Sequence, residues 1–453
     1  MTNDSIFKFK FTIKSAFFVF GILLFVTTSC TEFSGVVTSS EDNTNGAAPS
    51  PADPSNPVNP NPPPLNTPPF VVEKINSLQS PARPDLPGLG QELAVNAYGF
   101  VLRQESSAAL FPANDSAGTF GHDYSKARAL TLGNEHIIVG GYRILRRVDS
   151  TIVRSLAGGS LRPSNTNKDL IFHMCPSPSG NRNALCIYNI ATDAVTRLIE
   201  FPDFSSDSMT IGSGEGSMSI DDRYIVVESN THIISLMISA DLTSAQELGR
   251  LSKTNIHNWS SISVNGTYVI VENNNGVRDT REWVRYDKNF ENPVVVAQTS
   301  FVEHSTLALD DEGSEVIVSL TGTHIFSIRL SDLKTIQLGV TSSPDFNAGF
   351  GHISFAINNP GFVFLSRQNN TNNIIYKVSL KALAGGQASV FNGREVFPGE
   401  PVAWAVGSVW SSRVEYNSQP HPSVNADGDM IIFKSDWGGT LGKSVAFSYR
   451  LQN

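Results

Sequence analysis

Four histidines in this chain share one spacing relative to a recurring turn: His257 in IHNWSS, His304 in EHSTLAL, His352 in GHISFA and His421 in QPHPSV. Each stands six to eight residues ahead of a turn rich in Asn, Asp or Gly. The chain has nine histidines in all, so chance would scatter them rather than place four in register. Imidazole nitrogens are good ligands for divalent ions of the Mn, Fe, Ni or Zn type, and Gln419, two residues before His421, adds an amide oxygen. The two preceding units carry Glu215 and Arg162 at nearly the same offset. A guanidinium or a carboxylate placed there can bind or polarise a charged substrate.

Residues so spaced meet only if the frame brings equivalent positions together. SVNADGDMIIFKSD (423–436) is echoed by LALDDEGSEVIVSL (307–320), SISVNGTYVIVEN (261–273) and SMSIDDRYIVVESN (217–230). SFAINNPGFVFLSR (354–367), LRPSNTNKDLIFHM (161–174) and, more loosely, ARALTLGNEHIIVGG (127–141) extend the series. Each unit reads as a short strand, a tight turn and a strongly apolar strand. A third strand such as HIISLMI or HIFSIRL follows, and then a closing segment such as KTIQLG. Four strands recurring at roughly 45 to 50 residues are the period of propeller blades. The predicted fold is therefore all-β, a seven-bladed β-propeller of four-stranded blades, with six or eight blades as the alternatives. ELAVNAYGFVLR (92–103) is a spare strand able to complete the last blade and latch the ring. The first strand of each blade lines the central channel, so the histidines, Arg162 and Glu215 are expected around its mouth.

HPSVNADGDMIIFKSD resembles the TolB-type propeller repeat, with Asn425-Ala426 where that repeat carries Ser-Pro. The Gly-His and Trp-Asp signatures of WD40 and the Asp-box of sialidases are absent at blade spacing. The histidine set is similar to that of the oligogalacturonate lyase family of seven-bladed propellers. In that family a metal held by histidines and a glutamine neutralises a uronate carboxylate, and a separate base starts β-elimination. The resemblance implies His352, Gln419 and His421 as ligands of one divalent metal and His304 as the base. Arg162 joins His304 as a catalytic candidate, and Glu215 and His257 are substrate-binding candidates. Ser423 stands where that family has a further histidine.

The sequence before the repeats concerns address. Lys8, Lys10 and Lys14 precede an apolar run, Ala16 to Val26, which ends in VTTSC with Cys30. This resembles a bacterial lipoprotein signal over residues 1–30, with Cys30 lipidated; an ordinary cleaved signal peptide is the alternative. Thr31, in place of Asp, favours an outer-membrane address by the same resemblance. Residues 31–71, which include PSPADPSNPVNPNPPPLNTPP, form a Pro- and Asn-rich tether, and 72–453 is the propeller domain. Cys175 and Cys186 flank a hairpin loop and are a disulfide candidate in an exported chain. A net charge of −9 with no basic cluster excludes a nucleic-acid partner. GSGEGS (212–217), DDEG (310–313) and NADGD (425–429) read as turns, not as phosphate or calcium loops. Two functions remain. One is a lipid-anchored, monomeric module of the cell envelope that binds a protein, peptide or glycan at the channel mouth. The other is a metal-dependent polysaccharide lyase.

Overall fold

The computed structural model describes residues 83–451 apart from 96–99, 112–120, 123, 157–159, 178–179, 181–182, 215, 255–256, 274–280, 299–303, 322–323, 341–349, 368–372, 401–402, 412–418, 440 and 442. The signal segment with Cys30, the tether and Glu215 lie outside the described residues. Within them the chain forms seven sheets in succession, a seven-bladed propeller.

Blade 1 has strands His136–Val139, Arg143–Arg146 and Thr151–Ser155, and its innermost rung is the single bridge Leu130–Ile137. Blade 2 is Arg162–Pro163, Leu170–Cys175, Ala184–Asn189 and Ala194–Glu200. Blade 3 is Thr210–Ile211, Tyr224–Glu228, His232–Ile238 and Ala245–Ser252, and blade 4 is His257–Ile262, Tyr268–Asn273, Glu282–Asp287 and Val294–Gln298. Blade 5 is His304–Leu309, Glu315–Thr321, His324–Arg329 and Thr335–Val340, and blade 6 is Phe350–Phe355, Phe362–Arg367, Asn373–Ser379 and Ala403–Val409. Blade 7 takes Ser423–Val424, Met430–Ser435 and Val445–Leu451 from the C-terminal end and Phe100–Gln104 and Glu92–Val95 from the N-terminal end.

Burial follows the ring. A central strand has neighbouring blades on both faces, so Leu170–Cys175 is buried at every residue. The outermost strand of the same blade, Ala194–Glu200, is largely exposed. The apolar clusters lie between blades: Ile144, Leu161 and Ile171 join blades 1 and 2, and Phe172, Leu185, Ile225 and Val227 join blades 2 and 3. Phe364, Ile431, Phe433 and Ile137 belong to the cluster that spans blades 6, 7 and 1. A blade by itself would leave both of its faces wet, so blades stabilise only as a set.

The turn motif of each unit holds the ring together as well as turning the chain. In NADGD, Asn425 Oδ1 accepts from the backbone N–H of Gly428, Asp429 and Met430 at 2.9–3.1 Å, and Gly428 takes a φ of +78° that suits glycine. Asp310 does the same for Glu312 and Ser314, which accounts for DDEG as a turn. Contacts then pass from blade to blade. Arg128 donates to Pro163 O and Ser164 O, Asn165 N to Asp222, Ile220 N to Val264 O and Asn265 N to Glu315. Gly361 N donates to Leu309 O, Asn358 N to Ala426 O and Asn425 Nδ2 to Asn134. Every neighbouring pair of blades is thereby hydrogen-bonded near its innermost turns.

Two features go beyond the repeat pattern. The N-terminal latch is a hairpin of two strands, and Phe100–Gln104 pairs with the C-terminal strand. Between the third and fourth strands of blade 6 a second hairpin, Ser389–Phe391 with Arg394–Pro398, adds to the outer edge of blade 5 through a parallel pairing of Thr335 with Val396. Its turn is Asn392-Gly393, both at positive φ, the signature of a two-residue hairpin turn. Cys175 and Cys186 are joined in blade 2 with Cα atoms 5.9 Å apart.

Candidate functional site

Side chains in a strand alternate in direction, so residues two apart on an inner strand face the channel together. His304 and Thr306, and His352 and Ser354, are such pairs on blades 5 and 6, while on blade 7 His421 stands two residues ahead of the inner strand that begins at Ser423. Thr306, Ser354 and Ser423 line a central cavity of about 70 Å³, with room for water but not for a sugar ring. Lys126, Arg128 and Arg162 also line it, and among the described residues no carboxylate does. The channel is therefore cationic, although the whole chain carries −9.

The histidines stand one step further out. The rings of His304 and His352 are 5.0 Å apart, and those of His352 and His421 stack at 3.6 Å. Tyr124, from the segment ahead of blade 1, meets the rings of His352 and His421 edge-on at 5.1 and 5.0 Å. Gln419 Oε1 accepts from His352 Nε2 at 2.8 Å, which leaves Nδ1 as the acceptor for the Tyr124 hydroxyl at 3.1 Å. His304 Nδ1 lies 3.4 Å from that hydroxyl oxygen, so its N–H donates there and Nε2 carries the lone pair. The chain Gln419–His352–Tyr124–His304 thus runs from a buried ring to an exposed one. Burial, and then the neighbouring His304, hold His352 well below the ordinary imidazole value, so it is neutral at physiological pH. His122 is fully buried and donates from Nε2 to the carbonyl of His421; burial and Lys434 lower its pKa to about 3. His421 itself is buried at a φ of +40°, a costly conformation for a non-glycine residue that is found disproportionately at functional sites.

Sequence spacing placed His257 and Arg162 in the same group, and the structure gives both other partners. His257 Nε2 meets Glu228 at 2.9 Å, and Glu228 also receives Lys253, Ser213 and Ser260. Burial alone would raise the Glu228 carboxyl, but the hydrogen bond and charge of His257 and the Lys253 ammonium bring it down to about 2. This is a clasp between blades 3 and 4. Arg162 is buried and donates to Gly216 O and Leu161 O, so it contributes charge to the channel wall from a fixed position. Tyr124, His122 and Lys126 were not anticipated. They sit in GHDYSK, outside the repeat register, where only the density of His, Tyr and Lys just before the first blade marks them. Trp259 and Trp437 are buried as core, and Lys126 lies 4.3 Å over the Trp259 ring.

The arrangement does not fit a divalent metal. Among the described residues no group of three or more His, Cys, Asp or Glu side chains is placed to hold an ion. An imidazole binds metal along its in-plane lone pair at about 2.0–2.1 Å. The His352 and His421 rings lie face to face, tilted by only 20°, so their lone pairs run side by side instead of converging. The Gln419 oxygen expected to be a ligand accepts a hydrogen bond from His352 instead.

No family model and no curated protein matches the sequence. Among solved structures the chain is similar to an oligogalacturonate lyase in complex with manganese, at 13% identity and a TM-score of 0.50, over 80% of this chain and 96% of that one. It is similar to the oligogalacturonate lyase of Vibrio parahaemolyticus at 11% identity and a TM-score of 0.50, with the same coverage. A weaker likeness, at 12% identity and a TM-score of 0.35, is to a TolB of Agrobacterium tumefaciens over 56% of this chain and 77% of that one. At such identities the first two establish a shared fold, the seven-bladed propeller.

Proposed function

We propose that this protein is an exported, lipid-anchored propeller of the cell envelope that binds an acidic glycan at the mouth of its channel. The observation that carries the reading is the pairing of an exposed, oriented His304 with a channel wall that presents Lys126, Arg128 and Arg162 and, among the described residues, no carboxylate. Anionic groups are drawn to such a mouth, and His304, Tyr124 and Gln419 offer hydrogen-bonding groups to sugar hydroxyls. The signal-like N-terminus and the proline-rich tether support the anchor and the stand-off from a membrane surface. Among the described residues no helix is long and apolar enough to cross a membrane.

A second reading, uronate β-elimination, is favoured by the fold shared with oligogalacturonate lyases and by the juxtaposition of His304, His352, Gln419 and His421. It requires His421 to leave its stack before two imidazoles can face one ion. Fluorescent trigalacturonate is the probe for both readings, with maltotriose as the neutral control. Saturable binding in EDTA, weakened by His304→Ala and giving no unsaturated product, supports the binding module. Product that appears only with added Mn²⁺ supports the lyase. No binding under either condition defeats both.

A further inference from the structure

A larger cavity, about 560 Å³, opens on the seam where the ring closes, between blade 7 and blade 1. Its volume is in the range of small-molecule sites. The blade 7 wall is set by register. Met430, Arg450 and Val101 form one cross-strand row, and Ser448, Arg103 and Glu92 form the next same-face row two residues along. Across from it blade 1 presents Arg146, Arg147 and Val148. An interblade face is normally filled by aliphatic side chains, as the clusters between the other blades are. At this seam Ile137, Leu145, Ile431 and Phe433 fill one part, and beside them four guanidiniums face an open volume.

The charges around this cavity do not balance. Arg103 and Arg147, each only 14% exposed, share one fully buried carboxylate, Glu105. Arg147 forks onto Glu105 Oε1 at 3.0 and 2.5 Å, while Arg103 donates from Nη2 to the Arg147 carbonyl and its Nε, 3.4 Å from Glu105 Oε2, is a buried donor without a hydrogen-bond partner. Arg450 pairs with Glu92 and Arg146 with Asp149, about half exposed in each case, and Glu135 is taken by Lys168. One positive charge is left over, at the floor, where Arg103 and Arg147 meet. Beside the polar floor, Val101, Met430 and the strongly exposed Val148 supply an apolar wall.

We propose that this seam cavity is a second binding site, separate from the channel mouth, for a small organic monocarboxylate with an apolar body. The carboxylate meets the Arg103–Arg147 floor, and the body lies on Val101, Met430 and Val148. A planar guanidinium is the matching donor for a carboxylate, and its two parallel N–H bonds fix orientation. The ligand would touch the N-terminal latch, the C-terminal strand and blade 1 together, so occupancy closes the seam and raises thermal stability by mass action.

Sodium hexanoate is the probe, titrated calorimetrically into the propeller domain with its latch intact, at physiological ionic strength. Hexan-1-ol and hexylammonium are the controls for apolar body and charge sign. Two variants are used: Val148→Asp, at a position 80% exposed and therefore without a packing role, and Arg103→Lys, which keeps the charge and loses the planar fork. The expected result is saturable binding of hexanoate alone, an accompanying rise in Tm, and affinity at least about ten-fold weaker in both folded variants. Failure of hexanoate to bind, equal binding of hexanol, or undiminished binding by Val148→Asp would overturn the proposal. None of these results bears on trigalacturonate binding at the channel mouth.

Discussion

A neutral, buried imidazole network governs how the residues at the channel mouth respond to acid. In the unfolded chain His122 and His352 take a proton near 6.5, whereas in the folded chain His122 resists protonation down to about 3 and His352 is likewise held well below 6.5. The unfolded state therefore binds more protons between these values, and stability rises with pH across that window. Stability is complete above about 6.5 and falls with acidification, by about 1.4 kcal/mol per pH unit for each such histidine until its folded pKa is reached. Urea unfolding between pH 7.5 and 4.5 should show this slope, and His122→Asn should reduce it. Glu228 is shifted in the same direction, by its cationic partners instead of by burial, and its window is lower. Its contribution is full above its ordinary value of 4.5 and fades as pH drops toward about 2. Glu228→Gln leaves the Lys253 ammonium without its counter-charge inside the protein. A loss of about 3–5 kcal/mol is expected, measured by the same unfolding assay.

At the scale of strands and blades, repetition made most of the fold readable. The apolar strand after each Asn or Asp turn, such as YVIVEN or MIIFKS, is a period-marking signal because a central strand is buried on both faces. The hairpin at Ser389–Pro398 escaped the repeat because it is an insertion, marked only by Asn392-Gly393. The histidine register was legible for the same reason as the blades, since equivalent positions enter the channel side by side. What spacing could not give is the direction of each side chain. His257 and His304 are both first residues of inner strands, yet Glu228 captures one while Tyr124 meets the other. Those partners lie far off in sequence, and no periodicity encodes them. The latch strand does its work through Glu105, which reaches Arg147 of blade 1 and Ser448 of the C-terminal strand. Deletion of residues 83–107 should strip blade 7 of its outer strands and expose Tyr449 and Phe447. The expected outcome is a lowered Tm and dye binding to apolar surface, against none for the intact domain.

For the molecule as a whole, the ring converts a linear repeat into a single surface where seven entrances meet. Hydrogen bonds between every neighbouring pair of blades keep that surface in register, and the cationic channel beneath it supplies a field that the acidic chain elsewhere lacks. The shared fold with oligogalacturonate lyases shows what such a frame can carry, while the stacked His352 and His421 separate this chain from a preformed metal centre. The central claim, that the mouth around His304 is a ligand site, is tested most directly by ¹⁵N histidine side-chain NMR during titration with trigalacturonate in EDTA. The ring signals of His304 should move saturably, with His352 following through Tyr124, while His257 in its Glu228 clasp stays fixed. Signals of His304 that stay unmoved to the solubility limit of the glycan, or a shift confined to His257, would contradict it.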